Sequence, residues 1–211
     1  MMTNGEKERF CAFAAALLTP PDATLVDDLQ QDELHARLDA YIQAWGGDVR
    51  LLSAFSGEPS SDGFLSALQR EYIRLFVERE GANISLVEST YKPWTNDREC
   101  GMVFAASKGL LMGDCAVHML DIYRQLSLEV PEEFRSMPDH LVLELEFLAL
   151  LYQSASNQQI ERFIEDHLDW IPELKEEIDK TSAHPFYRNS IELIHLFLQS
   201  ELKNGKVKAH G

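Results

Sequence analysis

Apolar residues recur along this chain three and four positions apart, the spacing of helices with one buried face. The clearest stripe is Phe64, Leu68, Tyr72, Leu75 and Phe76, widened by Leu65 and closed by Gly81. Before it, Glu6 to Leu18 reads as a helix stopped by Pro20-Pro21, and Asp22 to Trp45 as one long helix ended by Gly46-Gly47. A short segment, Val49 to Phe55, leads into a turn-rich stretch from Ser56 to Gly63. Residues 82–95 form a loop that holds Tyr91 and Trp94. Asn96 and Glu99 are spaced to cap a helix from near Asp97, which Gly109 and Gly113 interrupt. Asp114 caps the next, with Val117, Leu120, Tyr123 and Leu126 or Ile122 inward.

Pro138 to Tyr152 is the most apolar helix, with Ser136 and Asp139 as its cap and Pro138 in its first turn. Ser156 to Trp170 and Glu173 to Lys180 follow. A last helix from near Pro185 carries Tyr187, Ile191, Ile194, Leu198 and Leu202 on one face, and the polar tail from Lys203 is frayed. No segment alternates with period two, so the fold class is all-α, a helical bundle. Residues 127–137, with Pro131 and several charges, read as a hinge. It joins an N-terminal block (1–126) to a C-terminal block (138–205), followed by a tail (206–211), and the whole is able to behave as one domain. Such a hinge permits a monomer or a domain-swapped homodimer that exchanges the C-terminal helices.

Charge narrows the function. The 211 residues carry 19 Lys and Arg against 35 Asp and Glu, a net charge of −16. That surface repels phosphate backbones, which argues against nucleic acid and for basic partners. Acid is concentrated between residues 132 and 180, with 13 carboxylates against 4 basic side chains. No apolar run is long enough to insert in a membrane, and the polar N-terminus lacks the basic start of a signal peptide. Cys11, Cys100 and Cys115 are odd in number and widely spaced, which fits a reducing compartment. The expected location is the cytoplasm.

The candidate chemistry is sparse. Cys115-x-x-His118 with Cys100 supplies three ligands where a structural zinc needs four, and Glu192-x-x-His195 is one copy of a motif that di-iron bundles need twice. Nucleophile-elbow, phosphate-loop and metalloprotease motifs are absent from the sequence. No catalytic residue, metal or cofactor is expected. Pro138-Asp139-His140 at the mouth of the apolar helix, with Glu144 one turn on from His140, is the strongest constellation. Its bland reading is a helix cap with a satisfied histidine; its functional reading is the rim of a groove for an apolar, positively charged peptide.

Three stretches carry a resemblance. E-Y-I-R-L-F (Glu71 to Phe76), E-S-T-Y (Glu88 to Tyr91) and M-P-D-H-L-V-L-E-L-E-F-L (Met137 to Leu148) resemble the TorD/DmsD/NarJ-type redox-enzyme maturation chaperones. H-L-D-W-I-P (His167 to Pro172) and P-F-Y (Pro185 to Tyr187) extend it. The resemblance implies a cytoplasmic, all-helical, non-catalytic protein. Its partners would be the twin-arginine signal peptide and catalytic subunit of a molybdopterin oxidoreductase, held until cofactor insertion and export. Carried over by position, the implied peptide-binding residues are Tyr72, Leu75, Phe76, Glu88, Ser89, Tyr91, Pro138, Asp139 and His140; the helical spacing adds Glu144. Many relatives have a proline–tryptophan pair just before the glutamate–serine of the loop, where this chain has Leu86 and Val87 and places Pro93-Trp94 later. The alternative reading is a helical small-ligand or metal-binding enzyme.

Overall fold

The computed structural model describes residues 2–56, 61–78 and 82–208, with all of their side chains except those of 61, 62 and 205–208. Gly81, expected to close a helix, lies outside this set. The α-helices are α1 (Asn4–Ala16), α2 (Ala23–Leu29), α3 (Asp32–Trp45), α4 (Ser61–Tyr72), α5 (Asp114–Gln125), α6 (Leu141–Ser154), α7 (Asn157–His167), α8 (Ile171–Asp179) and α9 (Pro185–Lys208). Among the described residues there is no strand, so the chain is an all-α helical bundle as its periodicity predicts.

α6 is the centre of the fold. Leu141, Val142, Leu143, Leu145, Phe147, Leu148, Ala149 and Tyr152 are buried, so apolar residues surround it on nearly every side. α1 packs on α6 more extensively than any other two elements pack. Lys7 of α1 and Tyr152 of α6 both bond Glu201 of α9, at 2.6 and 2.8 Å, and Phe10 meets Trp45 and Phe197 with ring centroids 5.0 and 4.6 Å apart. The apolar core is one cluster running from Phe10 to Leu198. Residues 127–137 cross its edge as a series of turns. Ser127 is left-handed (φ 56°), Leu128 N–H donates to Tyr123 C=O at 2.8 Å, and Glu132–Phe134 is a 3₁₀ turn.

Several local expectations need correction. The helix predicted over Asp22 to Trp45 is two, because the chain turns at Gln30-Gln31; Asp22 caps α2 through Leu25 N–H, and Gly46 ends α3 in the left-handed region (φ 77°). No helix forms near Asp97. Its local bonds close separate turns, Cys100 N–H to Asp97 C=O, Ala105 N–H to Met102 C=O and Ser107 N–H to Phe104 C=O, and the segment is tied to 90–95: Trp94 and Thr95 N–H donate to Ser107 and Ala105 C=O, and Gly109 N–H to Thr90 C=O. On α5 the inward residues are Ala116, Met119 and Tyr123, while Val117 and Leu126 are exposed. The last helix continues to Lys208, through most of the stretch read as a frayed tail.

α4 ends in a π-turn, Ile73–Val77, where Glu78 N–H donates to Ile73 C=O at 2.9 Å. Widening the turn leaves the carbonyls of Arg74 and Leu75 to accept from Ala82 and Ile84, which directs the chain toward α6. At the start of α5, Gly113 sits against another backbone: a Cβ there would lie 2.7 Å from Trp94 O. Gly113→Ala should therefore lower unfolding free energy by about 1–3 kcal/mol through overpacking. Urea unfolding checks this, and an unchanged midpoint would mean the Trp94 segment yields freely.

Candidate functional site

The site is built where residues 86–92 meet the entry to α6. Glu88 N–H donates to Asp139 C=O at 3.0 Å and Leu141 N–H to Leu86 C=O at 2.8 Å, an antiparallel bridge of Val87 with His140. The following 3₁₀ turn, Glu88–Thr90, aims the Glu88 side chain into the core. Asp139 is not the cap of α6. Its carboxylate Oδ2 accepts Ser89 N–H at 2.7 Å, with Cys115 Sγ 3.7 Å away, and the helix is capped by His140, whose Nδ1 accepts Val142 N–H at 3.2 Å. His140 contributes its ring where a serine or aspartate was expected, because the Asp139 side chain is turned inward.

Glu88 anchors a polar chain that runs from the core to the surface. Lys92 Nζ donates to its Oε1 at 2.6 Å and reaches Asp169 at 2.6 Å; its Oε2 lies 2.9 Å from His167 Nδ1, and His167 Nε2 lies 2.8 Å from His118 Nδ1. Burial works to raise the Glu88 pKa, but the bond to His167 and the charge of Lys92 outweigh it and hold the carboxylate below its ordinary value. Glu144, fully buried on the first turn of α6, is the opposite case. Burial and the neighbouring Glu88 charge push its pKa well up. Neither of its oxygens has a hydrogen-bond partner among the described residues, and Asp139 Oδ1 and Ser89 Oγ have none either. Burial also raises Asp139 and brings His140 down to about 4.

Of the ten residues singled out from sequence, Glu88, Ser89, Asp139, His140 and Glu144 come together here, with Pro138 buried beside them and Tyr91 just beyond. Glu144 and Asp139 are interior groups and not the rim of a groove. Tyr91 stacks on Trp170 at 4.8 Å and donates to Glu177 and to Ser85 C=O. Tyr72 and Phe76 are half-buried in a second cluster, with ring centroids 6.3 and 5.4 Å from Tyr187, and Leu75 is wholly buried. Lys92 and His167 were missed, and Cys115 and His118 were weighed only as zinc ligands. The available signal was the place of His167 one turn before Trp170, at the end of an amphipathic helix, where a histidine on the buried face requires a polar partner.

A groove of about 390 Å³ opens between α5, α6 and α7. Phe147, Leu151 and Phe163 line it, His118 and His167 form its polar end, and Asp166 and Arg162 stand at its edge. A smaller cavity of about 170 Å³ lies between Tyr123, residues 128–131 and α6. No helix among the described residues is long and apolar enough to cross a membrane.

Residues 31–176 match the family described as nitrate reductase delta subunit. The chaperone protein TorD of Shewanella piezotolerans is 29% identical over 157 residues, 74% of this chain and 70% of that protein. Its namesake in Vibrio cholerae is 29% identical over 123 residues, 50% of this chain and about half (55%) of that protein's length. A candidate redox enzyme maturation protein from Archaeoglobus fulgidus, 18% identical, superposes with a TM-score of 0.47 over 95% of this chain and 93% of its own.

Proposed function

The chain belongs to the nitrate reductase delta subunit family, which takes in the TorD-like chaperones, and from that premise we propose that it is a maturation chaperone for a redox enzyme. Its client is the catalytic subunit of a molybdopterin oxidoreductase, bound in the cytoplasm by its twin-arginine signal peptide and held until the cofactor is inserted. The observation that carries this reading is the groove between α5, α6 and α7. An apolar floor of Phe147, Leu151 and Phe163 suits the apolar stretch of such a peptide, at roughly 25 cal/mol per Å² buried. The carboxylates of Asp166 and nearby Asp121 suit its guanidinium groups. Glu88, Ser89, Asp139 and Glu144 act from inside, fixing the wall that carries His118 and His167. Tyr72 and Phe76 offer the client body a second apolar contact beside Tyr187.

Calorimetry with a synthetic peptide that holds two adjacent arginines followed by an apolar stretch tests the reading. Ile122→Arg places a like charge in the groove and should weaken binding at least about tenfold, or 1.4 kcal/mol. Equal affinity for wild type, for Ile122→Arg, and for a peptide without its arginines would move the site elsewhere. Asp139→Ala removes the acceptor of a buried N–H, so its loss of stability should be about 1–3 kcal/mol, more than the loss of a cap alone. Any weakening of peptide binding by that variant then acts through the wall of the groove. Chemical denaturation alongside the calorimetry separates the two effects. A swapped homodimer would carry α6 into the partner, so that α1 packs on it in trans; light scattering after acid cycling that finds only monomer would count against this.

A further inference from the structure

Glu88, Glu144 and His167 come from three segments far apart in sequence, and all three are buried. One carboxylate oxygen from each glutamate and one ring nitrogen of the histidine lie within 4.8 Å of one another. The outer sides of two of these residues are already braced: Glu88 Oε1 accepts from Lys92, and His167 Nε2 faces His118 Nδ1. Both oxygens of Glu144 are without a partner among the described residues, although the side chain is wholly enclosed. A carboxylate in that position needs a proton or a cation, since an unpaired buried charge is strongly unfavourable.

We propose that Glu88, Glu144 and His167 bind a divalent first-row transition ion, with zinc as the representative. The set mixes two carboxylates and an imidazole, which favours such ions over calcium or magnesium, whose sites are built of oxygen. Atoms placed about 2.0–2.2 Å from a shared zinc stand about 3.3–3.7 Å apart, inside the observed limit. Glu88 Oε2 and His167 Nδ1, now 2.9 Å apart, separate slightly as the ion takes the place of the proton between them. The two carboxylates balance the charge of the ion, and the protons that leave pass to solvent. With the ion on Nδ1, the Nε2–H of His167 donates to His118, the kind of outer bond that orients a ligating histidine. His118 and His167 also form the end of the groove, which gives the ion a way in. The sequence argued against a metal because its motifs offered no complete ligand set; this set exists only after the loop before α5, the start of α6 and the end of α7 meet.

The test uses the full chain, stripped with chelator and titrated with zinc by calorimetry. One zinc per chain should bind and raise the melting temperature. Glu144→Gln and His167→Gln should each weaken binding at least tenfold and abolish the melting shift, while Cys115→Ser and Cys100→Ser bind as wild type does. Near-ultraviolet circular dichroism establishes that each variant is folded. Cobalt(II) added to wild type gives an independent reading, a ligand-field spectrum without a thiolate charge-transfer band. The inference fails if wild type shows no saturable zinc binding, if Glu144→Gln binds as tightly as wild type, or if Cys115→Ser or a thiolate band places the ion on the neighbouring cysteine. None of these outcomes depends on the client peptide, so the chaperone reading stands or falls separately.

Discussion

Trp170→Ala should cost about 3–5 kcal/mol of unfolding free energy, the loss typical of a large aromatic removed from a close-packed core. The ring is 2% exposed, stacks on Tyr91 at 4.8 Å and 24°, and donates its Nε1–H to His167 C=O at 2.8 Å. Its removal leaves a cavity under the loop that carries Glu88 and unpins the carbonyl end of α7. Trp170→Phe should lose less, because the stacking survives and only the hydrogen bond, about 1 kcal/mol, is gone. Urea unfolding followed by circular dichroism measures both. A loss below about 1 kcal/mol for the alanine variant would mean that the loop and α7 are held together by Glu88 and Lys92 alone.

The second large effect is a pH dependence located at Glu144. Its folded pKa stands well above its unfolded one, first through burial and then through the charge of Glu88. A carboxyl of this kind binds its proton more tightly when folded. Its contribution is therefore fully present below the unfolded value, near 4.5, and is lost as pH rises toward the folded value. Glu144→Gln has no proton to lose. In the presence of chelator, wild type should lose stability relative to that variant by up to about 1.4 kcal/mol per pH unit as pH rises above 5. Glu88 and Asp139 face the same group, and Lys92 offsets part of the charge, so the difference between the two proteins is the quantity to follow. A difference that stays flat from pH 5 to 8 would show Glu144 to be ionised in the native core.

The helical periods that survive in the structure are those whose apolar face meets another helix. α6 and α9 were legible for that reason, and so was the break at Gly46, where only the left-handed region ends the turn. The break at Gln30-Gln31 was not, since neither residue is a helix breaker; it parts a helix that packs on α4 from one that packs on α9. The segment after Trp94 has helix-compatible residues, yet Met102, Val103, Phe104, Leu110 and Leu111 stay exposed, and its backbone bonds close separate turns or lead back to 90–95. At the site, Pro138-Asp139-His140 was visible as a local motif, but spacing along one helix misplaced the roles of its members. Asp139 serves a backbone N–H fifty residues away, and Glu144 faces Glu88 across the core. Partners that far apart in sequence leave no periodic trace, which is why Lys92 had no signal of its own and His167 only its place on the buried face of α7.

The seating of α1 on α6 also sets a clock. As the chain leaves the ribosome, α1 is complete at Ala16, but the surface that receives it is not finished until Ser154. At about 5–20 residues per second that interval is about 7–28 s. Through it, Phe10, Cys11, Ala14 and Ala15 lack the surface of α6, and Phe10 has Trp45 beside it but not yet Phe197. Closing so long a loop makes the pairing late as well as slow. The chain thus passes through a sticky unfinished state of its own, and its yield at high expression should fall more steeply with temperature than its folded stability does.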